Sequence, residues 1–162
     1  MIIVVGPGET LSRALADAFG DVAVIDGDAA VDEILWQTLA ALQSAHSSMA
    51  QGGRIVVILP TIGMAGAAGL VDCTTAVEGI RAMAKSAARQ WASDRIGVNI
   101  IAAPLALFAV DGDVSHLTAA AVQNDDTLIH SIIETAKFLM RRDVDQLTGD
   151  TIVVDGGAVM LP

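Results

Sequence analysis

Few side chains in this sequence have the type and spacing for chemistry. Gly6, Pro7 and Gly8 follow the apolar run Ile2 to Val5 and precede a helical pattern, with Asp26 about 20 positions beyond the turn. A glycine turn between strand and helix lets backbone N–H groups approach a phosphate, and an acidic residue at the next strand end can hold a ribose hydroxyl. The same residues equally suit a plain tight turn and a strand-end cap, so the outline alone assigns no cofactor. Cys73 is the only cysteine. A thiol becomes a useful acid or nucleophile when a nearby cation lowers its pKa from about 8.5. No such cation flanks Cys73, and it reads as a packing residue. His46, among Ser44, Ser47 and Ser48, reads as a solvated side chain, and His116 and His130 as surface residues. Thr61, Asp72, Thr74 and Thr75 are the polar groups available around a glycine-rich segment, where a small ligand could be held. No catalytic residue and no metal site is expected.

The elements that position these residues centre on the stretch from Gly52 to Ala103. Ile55 to Leu59 is an unbroken apolar run, as in a strand buried on both faces, and Pro60 ends it. The segment from Thr61 to Gly69, with three glycines, reads as a flexible loop. From Asp72 the period becomes helical, with Ala76, Ile80, Met83, Ala84, Ala87 and Trp91 on one stripe, and Gly97 to Ala102 forms a second buried strand. Strand, helix and strand at this spacing make a right-handed crossover in a parallel sheet. Upstream, the pattern predicts a helix from Glu9 to Phe19 with Leu11, Ala14, Leu15, Ala18 and Phe19 inward, a strand from Val22 to Ile25, and a helix from after Asp28 to about Ala50. Downstream, residues 103–126 read as irregular, with a helix around Leu117 to Val122. A helix from Thr127 to Arg142 and a strand from Asp150 to Val154 follow. One α/β domain with helices on both faces of a parallel sheet is expected.

Composition narrows the partners. A net charge of −10 with nine basic residues opposes binding to nucleic acid or to an anionic membrane surface. A single cysteine suits a reducing compartment, and the apolar start lacks the basic residues and cleavage region of a signal peptide, so the expected location is cytoplasmic. The uncharged run from Ile55 to Val71 is the one membrane candidate, and Pro60 with its neighbouring glycines speaks against it. The apolar fraction of 53% is high for a soluble domain and suggests surface buried against another subunit.

With its elements placed, the chain resembles the short-chain dehydrogenase/reductase family from end to end. Gly53-Arg54-Ile55-Val56-Val57, Arg95 to Ala102 and above all Leu147 to Gly157 carry the resemblance. It implies a Rossmann-like doubly wound sheet, a catalytic serine after the first of these strands and a Tyr-x-x-x-Lys pair on the following helix. This sequence contains no tyrosine, its lysines are Lys85 and Lys137, and the serine position falls at Pro60 or Thr61. Where the family pattern is Gly-x-x-x-Gly-x-Gly, Gly6 is followed by Thr10 and Ser12, Pro7 removes an N–H, and Glu9 sets a carboxylate where a phosphate would sit. Gly6 and Asp26 are the vestigial cofactor-binding positions.

Two of the family's strand and helix units are absent between Asp26 and the helix leading to Gly52. Excising them from the order 3-2-1-4-5-6-7 leaves about five strands in the order 2-1-3-4-5 by chain order. The resemblance thus implies a single domain over residues 1–162 that lacks catalysis, with NAD(P) expected on a partner subunit only. That partner would be an intact member of the family, joined through helices 31–50 and 72–91 in a hetero-oligomer, or a second copy joined the same way. The alternative is a diverged oxidoreductase or small-ligand-binding protein using the crevice at the sheet's carboxyl edge.

Overall fold

The computed structural model describes residues 1–108 and 125–159. Strand β1 (Ile2–Val5) runs into helix α1 (Glu9–Phe19), strand β2 (Val22–Ile25), helix α2 (Val31–Ser48) and strand β3 (Gly53–Pro60). A one-turn helix, α3 (Ile62–Ala65), leads to helix α4 (Val71–Gln90) and strand β4 (Ile96–Ala103), and helix α5 (Asp125–Leu139) and strand β5 (Thr151–Val153) follow. The sheet is all-parallel in the order β2-β1-β3-β4-β5, as the sequence implies. The helix expected around Leu117 to Val122, its position over the carboxyl edge, and His116 lie outside the described residues.

Strands β3 and β4 form the spine because they are apolar on both faces. They pair over eight positions, from Gly53 opposite Ile96 to Pro60 opposite Ala103, and every residue of β4 is buried. On one face Ile55, Val57, Leu59, Val98 and Ile100 pack against α2 and α4 through Leu42, Ile80, Ala84 and Ala88. On the other, Val56, Ile58 and Ile101 pack against α1 and α5 through Leu11, Leu15, Ile132, Ala136 and Leu139. Each buried Leu or Ile contributes on the order of 1.5–3 kcal/mol relative to exposure, so these two layers dominate stability.

Several boundaries and faces differ from the sequence reading for local reasons. The segment after Pro60 holds a helical turn: Met64 N–H donates to Thr61 O at 2.9 Å, and Gly66, with φ of 72°, ends the turn. Gly63 packs closely inside it, since a Cβ there would lie 2.5 Å from the movable Glu78 Oε1 and 2.9 Å from Cγ1 of the stiffer Val77. Ala18 is exposed on α1. Helix α5 stops at Leu139, so Arg141 and Arg142 lie beyond its end, and Arg141 pairs with Asp143.

Strand β5 is short, and buried polar side chains hold it. Asn99 Nδ2 donates to Leu147 O at 2.8 Å, and Asn99 Oδ1 accepts from Asp150 N–H at 3.1 Å. Arg81, buried on α4, donates from Nη1 to Thr151 Oγ1 at 3.2 Å and from Nε to Glu78 Oε1 at 2.9 Å. Strand β2 forms the opposite edge of the sheet, with β1 as its one strand neighbour among the described residues.

Candidate functional site

The turn between β1 and α1 sits at the carboxyl edge, where the resemblance places a pyrophosphate. Its N–H groups are already used. Gly6 N–H donates to Ile25 O at 2.8 Å, Pro7 has none, and Gly8 N–H donates to Leu107 O at 2.9 Å. Pro7 also bridges to Phe108 in antiparallel fashion, so the segment that leaves β4 lies directly against the turn. A Cβ on Gly8 would come within 3.1 Å of Leu107 O.

On its other side the turn meets the β2–α2 connection. Gly6 has φ of 62°, and a Cβ on Gly27 would lie 2.6 Å from Gly6 Cα, so glycine at both places allows backbone to touch backbone. What remains for an anion is the first turn of α1. Glu9 occupies that turn, exposed and paired with Arg13, and no side chain caps Gly8. A phosphate approaching there meets a like charge.

Asp26 is exposed, and one carboxylate oxygen accepts from Asp28 N–H at 3.0 Å. The residue therefore caps the connection after β2, a geometry that serves the turn whether or not a ribose is near. Gly6 and Asp26 both lie at this edge, as expected from the sequence.

Beside Gly27 opens a crevice of 340 Å³, with Gly27, Ala29, Val31 and Ile34 on one wall and Gly69 to Cys73 on the other. Of the four polar residues picked from sequence, Asp72 alone lines it. Thr61 is buried at the start of α3, Thr74 Oγ1 donates back to Val71 O at 3.0 Å, and Thr75 is exposed outside the lining. Cys73 does reach the crevice, half-buried and in contact with both core layers. Burial pushes its thiol pKa up, which leaves it protonated at neutral pH and poorly nucleophilic.

His46 departs from the sequence reading. Its ring stacks on Trp91 with centroids 4.6 Å apart, and Nε2 lies 3.0 Å from Asp94 Oδ2. Both partners come from the end of α4 and the turn after it, so neighbours in sequence gave no sign of them. The pair borders a groove of 510 Å³ between α2 and α4, lined also by Leu39 and Met83. His130 is exposed, as expected. Among the described residues no group of three or more His, Cys, Asp or Glu could hold a metal ion, and no helix is long and apolar enough to cross a membrane.

A sequence profile described as enoyl-(acyl carrier protein) reductase matches residues 10–159. Among solved structures, the enoyl-acyl carrier protein reductase of Bacillus cereus, in complex with NADP+ and indole naphthyridinone, superposes with a TM-score of 0.63 at 19% identity over 96% of this chain. The reductase LugOII, described as promiscuous and catalysing keto-reduction at C1 during lugdunomycin biosynthesis, superposes with a TM-score of 0.60 at 16% identity over 91%. The match spans 63% of the Bacillus enzyme and 69% of LugOII. At these identities the superpositions establish a shared fold. No curated protein sequence matches the chain. The profile match over nearly the whole length and the parallel sheet place this chain in the enoyl-(acyl carrier protein) reductase family of short-chain dehydrogenases/reductases, as a member whose sequence contains no tyrosine.

Proposed function

We propose that this chain is a non-catalytic subunit that supports an intact NAD(P)-dependent reductase of its own family in a hetero-oligomer. The observation that carries the reading is the closed turn at Gly6 to Gly8, whose two N–H groups are bonded within the chain where a pyrophosphate would need them. A sequence without tyrosine points the same way, since the family's Tyr-x-x-x-Lys acid cannot form. In this reading NAD(P) belongs to the partner subunit.

The surface offered to the partner is the pair α2 and α4. Ala76, Ala84, Ala87 and Ala88 pack on the chain's own sheet, so they do not form that surface. What faces outward is Trp36, 69% exposed on α2, and the groove bordered by Leu39, Met83 and Trp91. A large exposed indole on α2, and a groove of mixed polar and apolar lining between α2 and α4, favour a protein contact.

Affinity purification from the native source followed by light scattering tests the proposal, with a heteromer containing an intact reductase as the expected result. A monodisperse monomer that brings down no reductase refutes it. Titration calorimetry of the isolated chain is expected to give no useful binding of NAD or NADP, and micromolar affinity for either would overturn the reading of the turn. The crevice at Asp72 and Cys73 favours one other reading, a diverged oxidoreductase or small-ligand-binding protein. It requires a nucleotide, flavin or acyl thioester to bind the isolated chain.

A further inference from the structure

The amino edge of the sheet, opposite the turn at Gly6, gathers positive charge in a strongly acidic protein. Two cavities of 170 and 320 Å³ share Arg54, Arg95 and Asp145 in their walls, and Arg142 lines the first of them. Arg54 is more than nine-tenths buried, with 7% of its surface exposed. Its Nε donates to Arg141 O at 3.3 Å, which supplies one acceptor from the end of α5. The rest of its fork, and the side chains of Arg95 and Arg142, have no acceptor and no carboxylate partner among the described residues. The spare donors of Arg54 open onto the cavities, since Arg81 Nη2 is the one buried side-chain nitrogen without a partner among the described residues, and a guanidinium so placed can exchange water for an anion.

Two backbone features hold this arrangement. Arg54 faces Gly97 across the β3–β4 ladder, and a Cβ on Gly97 would lie 2.2 Å from Arg54 Nη1, so glycine at 97 makes room for the guanidinium. Arg95 is the one non-glycine residue with positive φ among those described, at φ 60° and ψ 32°. It is pressed into place: Gly53 N–H donates to Arg95 O at 3.1 Å, and a Cβ on Gly52 would lie 2.8 Å from that oxygen. The left-handed region strains an arginine and not a glycine, so backbone strain coincides here with a charge aimed at the cavities.

We propose that Arg54, Arg95 and Arg142 form a binding site for a phosphate group at the amino edge of the sheet. Three guanidinium groups against the single carboxylate of Asp145 leave a local charge of about +2, matching the −1.5 to −2 of a phosphate monoester near neutral pH. Planar forks bind phosphate oxygens in pairs, which a chain of net charge −10 could not achieve by general attraction. The site is remote from the carboxyl edge and does not depend on the subunit role proposed above.

The test is titration calorimetry on the full chain with inorganic phosphate and with glycerol 3-phosphate, at constant ionic strength set with sodium chloride. Saturable binding is expected, with Arg142→Gln and Arg95→Gly each weakening it about tenfold. Arg95→Gly should also melt higher than the parent without phosphate, because glycine relieves the strained turn. Preference for the monoester would assign the site to an esterified ligand, and preference for inorganic phosphate to the free ion. No heat beyond the chloride control, or equal affinities in the parent and both variants, would overturn the proposal. Arg142 is exposed, so its variant remains folded and decides the matter even if others do not.

Discussion

Replacing Gly27 with alanine tests the closed turn directly. The new methyl carbon would lie 2.6 Å from Gly6 Cα, a backbone atom that cannot rotate away. One of the two turns must move, and the β1–α1 turn is tied at both ends by the bonds from Gly6 N–H to Ile25 O and from Gly8 N–H to Leu107 O. Forcing a methyl into a fixed site costs about 1–3 kcal/mol, and weakening one of those bonds adds about 1 kcal/mol. The expected loss is therefore roughly 2–4 kcal/mol, or a fall of roughly 4–16 °C in Tm for a domain of this size. Gly20→Ala is the control, since Gly20 has φ of 71° with nothing within 4 Å of a Cβ. At φ of 71° and ψ of −49°, outside the left-handed helical region, the alanine should lose only backbone strain of about 1–3 kcal/mol, with no steric contact. Urea unfolding followed by circular dichroism measures both, with an unchanged m-value as the check that they are comparable. If Gly27→Ala costs less than about 1 kcal/mol while Gly20→Ala is measurably destabilising, the two turns do not touch, and the argument that this edge is closed to a pyrophosphate fails with them.

Three further outcomes are expected. Alkylation of Cys73 should be slow at pH 7–8 and accelerate only at higher pH than for a free thiol, because burial raises its pKa and the thiolate forms later; a rate equal to that of a small thiol at pH 7.5 would contradict this. Asn99→Leu keeps the volume but strands Leu147 O and Asp150 N–H, and should lower stability by about 2–4 kcal/mol in urea unfolding. Thr151→Val should cost about 1–2 kcal/mol, because Arg81 Nη2 is already buried without a partner among the described residues and Nη1 would join it. Arg81→Met removes both donors and should cost less than Thr151→Val; the reverse ranking would mean the guanidinium is satisfied.

The sheet was legible because its strands are written as runs of Ile and Val bounded by glycine or proline, and parallel pairing needs both faces apolar. Strand order came from the resemblance, and the observed order agrees with it. Gly6 and Asp26 were found by the spacing of a strand, a turn and a second strand. That the turn is closed depends on Leu107 and Phe108, some hundred positions away in chain terms, and no local pattern announces such a contact. Thr61, Thr74 and Thr75 were grouped by sequence proximity, but a helix distributes neighbours around its axis, and Asp72 alone reaches the crevice. Arg54 and Arg81 were hidden for the opposite reason. A charged residue in an apolar strand or on a helix reads as a surface position, and its burial follows from Gly97 in one case and from Thr151 and Glu78 in the other.

Among the described residues the outer edge of β2 is bare, with a consequence for how copies of this chain can aggregate. Because Ile25 O is turned toward Gly6, the alternate residues Val22 and Val24 direct their N–H and C=O groups away from the sheet, and Val24 is 53% exposed. Such a strand is a template for another strand, yet Asp21 stands at one end and Asp26 and Asp28 at the other. Antiparallel docking of two copies brings Asp21 of one beside Asp26 of the other, and parallel docking stacks each aspartate on its own counterpart. Either way like charges meet across the seam, and a sheet made continuous through β2 of two copies is disfavoured in neutral solution while pairing with a strand of basic flanks is not.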